Sequence, residues 1–178
     1  MSRELQIVLA GFGGQGVLFA GKVMAYAGLI ENRELSWLPS YGPEMRGGTA
    51  NCSVTLSDEP IGSPLVTTPD VLVAMNQPSF DKFIDVVREG GVVIADTDMV
   101  PELKEREGVK VVGVPATSLA EEAGLKGLGN IVLLGKLWAE TQFCERATVD
   151  AAIEKCVPPR KAALIDKNKQ AISLGIEA

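Results

Sequence analysis

The chain has 178 residues, of which 46% are hydrophobic and 22% charged, a composition typical of one globular domain with its own core. Its net charge of −6 makes nucleic acid an unfavoured partner, and the absence of histidine removes the commonest general base and metal ligand. No apolar run approaches the roughly 18 residues of a membrane span, and Lys22 interrupts the most apolar predicted helix. The apolar run Leu5–Ala10 is too short for a signal peptide, so we expect a cytoplasmic protein.

The first predicted unit is a strand, a glycine turn and a helix. The strand covers Leu5–Ala10, the turn Gly11–Gly16 and the helix Val17–Leu29. Backbone N–H groups at the start of such a helix have no partner within it, so they favour an anion. Small residues spaced by four and three on one helix face predict close packing against a sheet: Gly21, Ala25 and Gly28.

An irregular segment follows a second predicted strand. We place the strand at Glu34–Leu38, the irregular segment at Pro39–Gly48 because of its prolines and glycines, and a third strand at Thr49–Ser57. The irregular segment holds residue types frequent at protein–protein contacts, namely Tyr41, Met45 and Arg46.

Strands and helices alternate through the middle of the chain, and helices dominate its end. This order predicts an α/β fold, a three-layer α/β/α sandwich with a Rossmann-like, mainly parallel sheet in one domain over residues 1–178. The sheet has room for an antiparallel pair within residues 34–57. Further strands are predicted at Asp70–Met75, Val92–Ala95 and Val109–Val114. Helices are predicted at Ser79–Arg88, Pro101–Glu107, Ala116–Ala123, Ile131–Gln142, Thr148–Cys156 and Arg160–Leu174.

The glycine turn fits the dinucleotide pattern G-x-G-x-x-G at Gly11, Gly13 and Gly16. That pattern also requires an acidic residue, or an arginine for NADP, at the end of the second strand, where Leu38–Ser40 stand instead. A turn that cradles phosphate without ribose selection and a turn that serves packing alone both stay open. A P-loop is excluded, because the residue after Lys22 is not a serine or threonine.

Few other residues suggest chemistry. Asp96 and Asp98 follow a predicted strand and could hold a metal, although a helix cap before Pro101 and a solvated loop explain them as well. Arg46 suits either a phosphate or carboxylate ligand or an interface. No nucleophile–base pair is present. The cysteines fit no cluster or C-x-x-C pattern, and we expect reduced, buried thiols: Cys52, Cys144 and Cys156.

Two segments together resemble a known family. Gly11-Phe12-Gly13-Gly14-Gln15-Gly16, followed by Trp37-Leu38-Pro39-Ser40-Tyr41-Gly42-Pro43-Glu44-Met45-Arg46-Gly47-Gly48, is similar to the gamma subunit of 2-oxoacid:ferredoxin oxidoreductases, closest to the 2-oxoglutarate (KorC-like) type. The second segment is the more specific one. The likeness extends over nearly the whole chain and includes Gly129-Asn130-Ile131 and the closing Asn168, Ala171 and Gly175.

The resemblance implies a non-autonomous subunit of a cytoplasmic, multi-subunit enzyme. Such an enzyme decarboxylates a 2-oxoacid oxidatively, forms the acyl-CoA and reduces ferredoxin. Thiamine diphosphate, Mg²⁺ and iron–sulfur clusters then belong to partner chains, namely alpha, beta and a ferredoxin-like delta subunit, and CoA is a substrate. No catalytic or metal-binding residue is expected in this chain, and neither nucleic acid nor membrane is an expected partner.

Two site hypotheses follow from the resemblance and the anion-favouring turn. The amides of Gly13, Gly14, Gln15 and Gly16 are expected to face a phosphate-bearing group such as that of CoA. A loop of eight residues is expected to dock against the thiamine-binding subunits: Tyr41, Gly42, Pro43, Glu44, Met45, Arg46, Gly47 and Gly48. The alternatives are a stand-alone Rossmann-type NAD(P)-binding oxidoreductase or regulatory module, and an assembly subunit without a ligand.

Overall fold

The computed structural model describes residues 4–40 and 49–178. Within these ranges lie six strands: β1 (Leu5–Phe12), β2 (Glu34–Ser40), β3 (Thr49–Ser57), β4 (Val71–Ala74), β5 (Val92–Asp96) and β6 (Lys110–Val114). The helices are α1 (Val17–Ile30), α2 (Gln77–Phe83), α3 (Ala116–Glu122), α4 (Gly129–Thr141), α5 (Arg146–Cys156) and α6 (Leu164–Glu177). Two short 3-10 turns lie at Ile84–Val86 and Pro159–Lys161.

The strands form one sheet in the order β2-β3-β1-β4-β5-β6. Strands β1, β4, β5 and β6 are parallel, whereas β3 runs antiparallel to both of its neighbours, β1 and β2. The predicted mixed sheet is therefore confirmed, with its antiparallel part at the predicted position. A β2–β3 hairpin at one edge needs no crossover helix, which is why no helical pattern separates the two strands in the sequence.

The sheet separates two apolar cores, as the near-continuous apolar strands predict. The larger core lies against α1, α3, α4, α5 and α6 and contains Leu9, Met24 and Leu133. The smaller core lies on the opposite face against α2 and contains Leu72 and Phe80. The predicted helix–sheet–helix layering is present, with most helices on one side.

The small-residue face of α1 packs on the antiparallel part of the sheet. A Cβ added at Gly21 would come within 2.5 Å of Cys52 Sγ, and one at Gly28 within 2.6 Å of Leu56 Cδ2. Ala25 on the same face is buried. The packing interpretation of these small residues is confirmed.

Helices α4 and α6 approach each other more closely than side chains allow. A Cβ at Gly135 would collide with the carbonyl oxygen of Ile172, and one at Gly175 would collide with that of Val132. The two glycines therefore let the helix backbones touch directly, which fixes α6 on the outside of α4.

Several elements differ from the sequence-based predictions. Pro101–Glu107 is not a helix, because its charged residues offer no apolar face and its proline gives the segment an irregular start. Pro39 and Ser40 belong to β2, where an edge strand tolerates the missing N–H of proline. Helix α6 begins at Leu164, since the preceding basic residues form a 3-10 turn.

Helix α2 also begins two residues earlier than predicted. Asn76 is its N-cap, and its Oδ1 accepts a hydrogen bond from the backbone N–H of Ser79 at 2.9 Å. Pro78 in the first turn suits a helix start, because the missing N–H has no intrahelical partner there. The helix ends at Phe83.

All three cysteines are free and buried. Burial raises the pKa of Cys52 and of Cys144 to about 12 and that of Cys156 to about 11. The predicted role as small buried hydrophobic groups is confirmed. Across residues 4–40 and 49–178, no helix combines the length and apolar character needed to cross a bilayer.

Candidate functional site

The carboxyl ends of β1 and β4 lie side by side, and the helices that follow them lie on opposite faces of the sheet. Helix α1 packs in the larger core and α2 in the smaller one. In open α/β sheets, such a change of side opens a crevice beyond the strand ends, where ligands bind. The glycine turn between β1 and α1 stands at this position.

A cavity of about 250 Å³ opens at this crevice. Its walls come from the glycine turn, from the residues that follow β4 and β5, and from the first turns of α3 and α4. The lining residues are Gly14, Gln15, Met75, Asp96, Met99, Thr117, Gly127, Gly129, Asn130 and Leu133.

The glycine turn has a defined backbone. Gly14 has φ 94° and Gly16 has φ 75°, both in the left-handed region that favours glycine. The Gln15 N–H donates to Phe12 O at 3.2 Å and closes the turn. Gly13 and Gly14 are exposed at its tip. The four backbone amides predicted to face a phosphate are therefore not equivalent, because the amide of Gln15 already has a hydrogen-bond partner within the turn.

The Gln15 side chain joins the two parallel strands at their ends. Its Oε1 accepts from Phe12 N at 2.6 Å, and its Nε2 donates to Met75 O at 2.8 Å. The amide group therefore bridges the residue that ends β1 and the one that follows β4. Gln15 acts as a positioning residue for the crevice, a function that the sequence alone did not reveal.

Asn130, the second residue of α4, connects this helix to the glycine turn. Its Nδ2 donates to Gly16 O at 3.0 Å. A Cβ at position 16 would collide with that same Nδ2, so the contact requires glycine. Asn130 is 8% exposed, and its Oδ1 has no hydrogen-bond partner among the described residues. A buried carbonyl oxygen in that state is unusual in a native fold.

The acid that ends β5, Asp96, and the acid two residues later, Asp98, bind the start of α3. Asp96 accepts from Ala116 N at 3.1 Å and from Thr117 Oγ1 at 2.6 Å, and Asp98 accepts from Ser118 N at 2.7 Å. The capping interpretation is therefore right in kind, although the capped helix is α3 and not one at Pro101. Burial, opposed by the hydrogen bond from Thr117, raises the pKa of Asp96. Among the described residues, no three potential metal-ligating Cys, Asp or Glu side chains lie together.

The predicted docking loop, residues 41–48, lies outside the described residues. Its flanks are informative. Ser40 ends β2, and Thr49, which begins β3, stands in register with Phe12 at the end of β1. The two flanking residues, Ser40 and Thr49, therefore lie at the end of the sheet that carries the glycine turn.

Sequence reasoning missed most of the cavity wall. Met75 and Met99 come after β4 and β5. The only feature of the sequence that could have identified them is this position beyond a buried apolar strand. Thr117, Gly127 and Leu133 are distant in sequence from the turn, and only the order of strands in the sheet brings them to it.

The sheet order also explains the missing dinucleotide acid. In a Rossmann sheet, the strand beside β1 is parallel to it and presents an acid to the ribose. Here antiparallel β3 occupies that place, with Phe12 paired to Thr49. The position at which the ribose acid would stand does not exist beside β1, so the glycine pattern alone does not make an NAD site.

The fold is that of a known structure. The gamma subunit of keto/oxoacid ferredoxin oxidoreductase from Geobacter sulfurreducens matches with a TM-score of 0.84 and 30% identity, over 97% of this chain and 96% of that one.

Curated relatives agree along the sequence. The 2-oxoglutarate synthase subunit KorC of Methanocaldococcus jannaschii is 41% identical over 175 residues, which are 97% of this chain and 92% of that protein. The ketoisovalerate oxidoreductase subunit VorA of Methanothermobacter marburgensis is 50% identical over 137 residues, 77% of this chain but 28% of that protein.

This chain thus spans about a third or less of the VorA relatives that it matches, and nearly all of KorC. The family model described as pyruvate ferredoxin/flavodoxin oxidoreductase matches residues 6–178. The resemblance inferred from the glycine turn and from residues 37–48 is therefore confirmed, and the chain belongs to the pyruvate ferredoxin/flavodoxin oxidoreductase family.

Proposed function

We propose that this chain is the gamma-type subunit of a multi-subunit 2-oxoacid:ferredoxin oxidoreductase, with 2-oxoglutarate or a related 2-oxoacid as substrate. One observation carries the proposal. The chain matches 92% of the length of a separate KorC subunit, and it also matches a segment that makes up 28% of the longer VorA chain. A domain that occurs both as a separate chain and as part of a longer chain is typical of a subunit that functions in contact with the other subunits of a complex.

The remaining chemistry belongs to partner chains in this proposal. Oxidative decarboxylation needs thiamine diphosphate and Mg²⁺, and transfer of electrons to ferredoxin needs iron–sulfur clusters. In line with the resemblance, we assign these groups to alpha, beta and ferredoxin-like delta subunits. The buried thiols of this chain, with pKa values raised by burial to about 11 or 12, are poor candidates for cluster ligands, because a ligand must be a thiolate.

The role of this chain is then to assist assembly and the access of CoA. The glycine turn supports the second part, because it stands at the crevice beyond two parallel strands and at the start of a 14-residue helix. With Gln15 N–H paired, the phosphate contact would fall to the amides of Gly13, Gly14 and Gly16, of which the first two residues are exposed. We place the enzyme in the cytoplasm, in line with three unpaired cysteines.

Docking through residues 41–48 is tested by co-expression with the alpha, beta and delta chains proposed as partners. Arg46→Ala and Tyr41→Ala should each reduce the amount of partner that co-purifies on a tag carried by this chain, because arginine and tyrosine anchor interfaces. Arg160→Ala, at an exposed arginine in a 3-10 turn, is the matched control and should leave assembly intact. Full recovery of the complex with both loop variants would exclude the docking role.

The CoA contact is tested by Gly14→Val in the assembled enzyme. Gly14 has φ 94° with open space where a side chain would stand, so valine would occupy the space in front of the turn. We expect the KM for CoA to rise about tenfold or more, with the KM for the 2-oxoacid unchanged. Gly124→Val is the control, since Gly124 has φ 73° and equally open surroundings but does not line the cavity. Equal KM values for the two variants would remove the phosphate hypothesis.

The alternative functions give different results in calorimetric titrations. A stand-alone oxidoreductase would bind NAD or NADP more tightly than CoA. A purely structural subunit would bind none of the three, even within the complex.

A further inference from the structure

We propose that an open groove on the α2 side of the sheet, beside β2 and β3, docks a segment of one of the thiamine-binding partner chains. That segment places an apolar side chain on the floor of the groove and a carboxylate against Lys82. The inference rests on the proposed function, because the occupant is a chain of the same complex. It adds a second contact surface to the one proposed for residues 41–48.

The groove lies where the sheet lacks a covering helix. The smaller core, which α2 covers, contains residues of β1, β4 and β5 and none of β2 or β3 among those described. On β3, Cys52 and Val54 face the larger core on the other side of the sheet. The residue between them, Ser53, therefore faces the α2 side, where it lines the groove.

The floor of the groove is apolar. The groove has a volume of about 520 Å³, and Val8, Val66 and Phe83 line it where the smaller core reaches the surface. Two leucines also line it and stay exposed, Leu38 on β2 at 40% and Leu65 in the connection from β3 to β4 at 61%. Exposed apolar side chains gathered beside polar strand residues mark a protein contact surface.

Lys82 determines the charge that the occupant must carry. It is the one ionisable side chain among the described lining residues of the groove. Its Nζ lies 5.3 Å from the centre of the Phe83 ring, so the cation stands beside the apolar floor. No ion pair among the described residues includes Lys82, whereas the neighbouring Asp81 pairs with Lys104 at 2.7 Å. An apolar group followed by a carboxylate complements this surface.

The position of the groove identifies the occupant as a chain of the complex. Leu38, Pro39 and Ser40 line the groove and directly precede residues 41–48, for which docking on the thiamine-binding chains is proposed. The groove thus continues, along β2, the segment that the same partner is proposed to contact. A second copy of this chain fits less well, because a two-fold contact would bring two Lys82 cations together without an acidic lining residue to pair with them.

The test is chemical cross-linking of the complex formed by co-expression with the proposed partner chains. A water-soluble carbodiimide joins a lysine amine to a carboxylate in contact with it. Mass spectrometry of the digested complex should show Lys82 joined to an aspartate or glutamate of a thiamine-binding chain. Lys82→Arg is the matched control, since it keeps the charge, and with it the assembly, but offers no lysine amine to join.

Other cross-linking results would overturn the proposal. Products of Lys82 confined to its own chain would show that no partner carboxylate reaches the groove. A product of twice the mass of this chain that contains Lys82 would make a second copy the occupant. Attachment of Lys82 to the delta subunit alone would assign the groove to a different partner.

The apolar floor is tested separately by Leu65→Ser. The amount of thiamine-binding chains retained on a tag carried by this chain should fall about fivefold, because an apolar contact at the interface is lost. Leu29→Ser is the matched control, since Leu29 is 59% exposed but lies at the end of α1 on the opposite face of the sheet. Coinciding thermal melts show that both variants fold, and equal retention by the two would contradict the contact.

The inference and the proposed function fail in distinguishable ways. A wild-type complex that reduces ferredoxin with a 2-oxoacid and CoA, but shows no cross-link from Lys82 to a thiamine-binding chain, excludes only the groove. A wild-type chain that is recovered alone overturns the proposed function, and the docking segment is excluded with it.

Discussion

Glycine has different functions at the start of α4 and along its outer side. At its start, Gly16 of the turn faces Asn130, and its positive φ of 75° shapes the entrance to α1. Along its outer side, Gly135 faces the backbone of α6, where Gly175 returns the contact. Gly16 allows the backbone conformation of the turn at the site, whereas Gly135 and Gly175 allow two helices to pack closely.

The difference shows which glycines report on function. A packing glycine is identified by backbone atoms where its side chain would stand, as at Gly175. Gly14 has open space there and a positive φ, but Gly124 shares both properties, so it is the place of Gly14 in the cavity wall that marks it as a site glycine. The sequence context of these two examples also differs, since Gly175 is a single glycine between Leu174 and Ile176, whereas Gly14 belongs to the glycine-rich turn Gly11–Gly16.

The largest effect is expected from Gly175→Ala. The new methyl group would collide with the carbonyl oxygen of Val132, and backbone atoms of α4 cannot move aside without shifting the helix. We expect a loss of about 3 kcal/mol in the free energy of unfolding, measured by urea denaturation.

Gly62→Ala is the matched control for this change. No atom lies within 4 Å of the Cβ position at Gly62, and its φ is ordinary. Its free energy of unfolding should stay within about 0.5 kcal/mol of the wild type. A Gly175→Ala protein as stable as this control would contradict the direct backbone contact of α4 with α6.

Sequence patterns predicted the layered fold well, for a physical reason. Buried parallel strands such as Val71–Ala74 are apolar throughout, and glycine turns and proline caps mark the ends of several elements. Boundaries failed where tertiary context decides, as at Pro39, which only an edge position permits in a strand. The prediction of a polar helix at 101–107 was wrong, because a segment made mostly of acidic and basic residues has no apolar face to bury.

The site was predicted less completely than the fold. The turn at Gly14 and Gln15 was identified, since glycines after a strand carry a local signal. Asn130 is 114 residues from Gly16, and no local pattern encodes their hydrogen bond. Its place in the cavity depends on the tertiary packing that brings the start of α4 next to the glycine turn.

A smaller effect is expected from Gly16→Ala. Alanine at φ 75° is strained by about 1 kcal/mol, and its methyl group also displaces Asn130 Nδ2. We expect a total loss of about 2 kcal/mol by urea denaturation. Gly124→Ala has the same kind of strain at φ 73° but open surroundings, so it should lose about 1 kcal/mol.

A double-mutant cycle isolates the contact between Gly16 and Asn130. In an Asn130→Ala background, Gly16→Ala should lose only the strain, so a coupling energy of at least about 0.5 kcal/mol is expected. Strictly additive losses would show that Asn130 does not touch the turn.

The smallest effect concerns Cys52, which lies against Gly21 in the packed region. Burial raises the pKa of this thiol to about 12 from 9.0 in the unfolded chain. Between these values the unfolded state releases a proton that the folded state keeps, so stability falls as the pH rises above about 9. At pH 9.5 the loss due to Cys52 alone is about 0.8 kcal/mol relative to pH 7.

Urea denaturation of the wild type and of Cys52→Ala at pH 7 and 9.5 measures this difference. The variant loses some stability at both pH values because it leaves a small cavity. Its decline with pH should nevertheless be shallower by that same amount, since the titrating group is gone. Parallel declines would mean that the thiol of Cys52 reaches solvent in the folded protein, and that Gly21 does not hold α1 closely on the sheet.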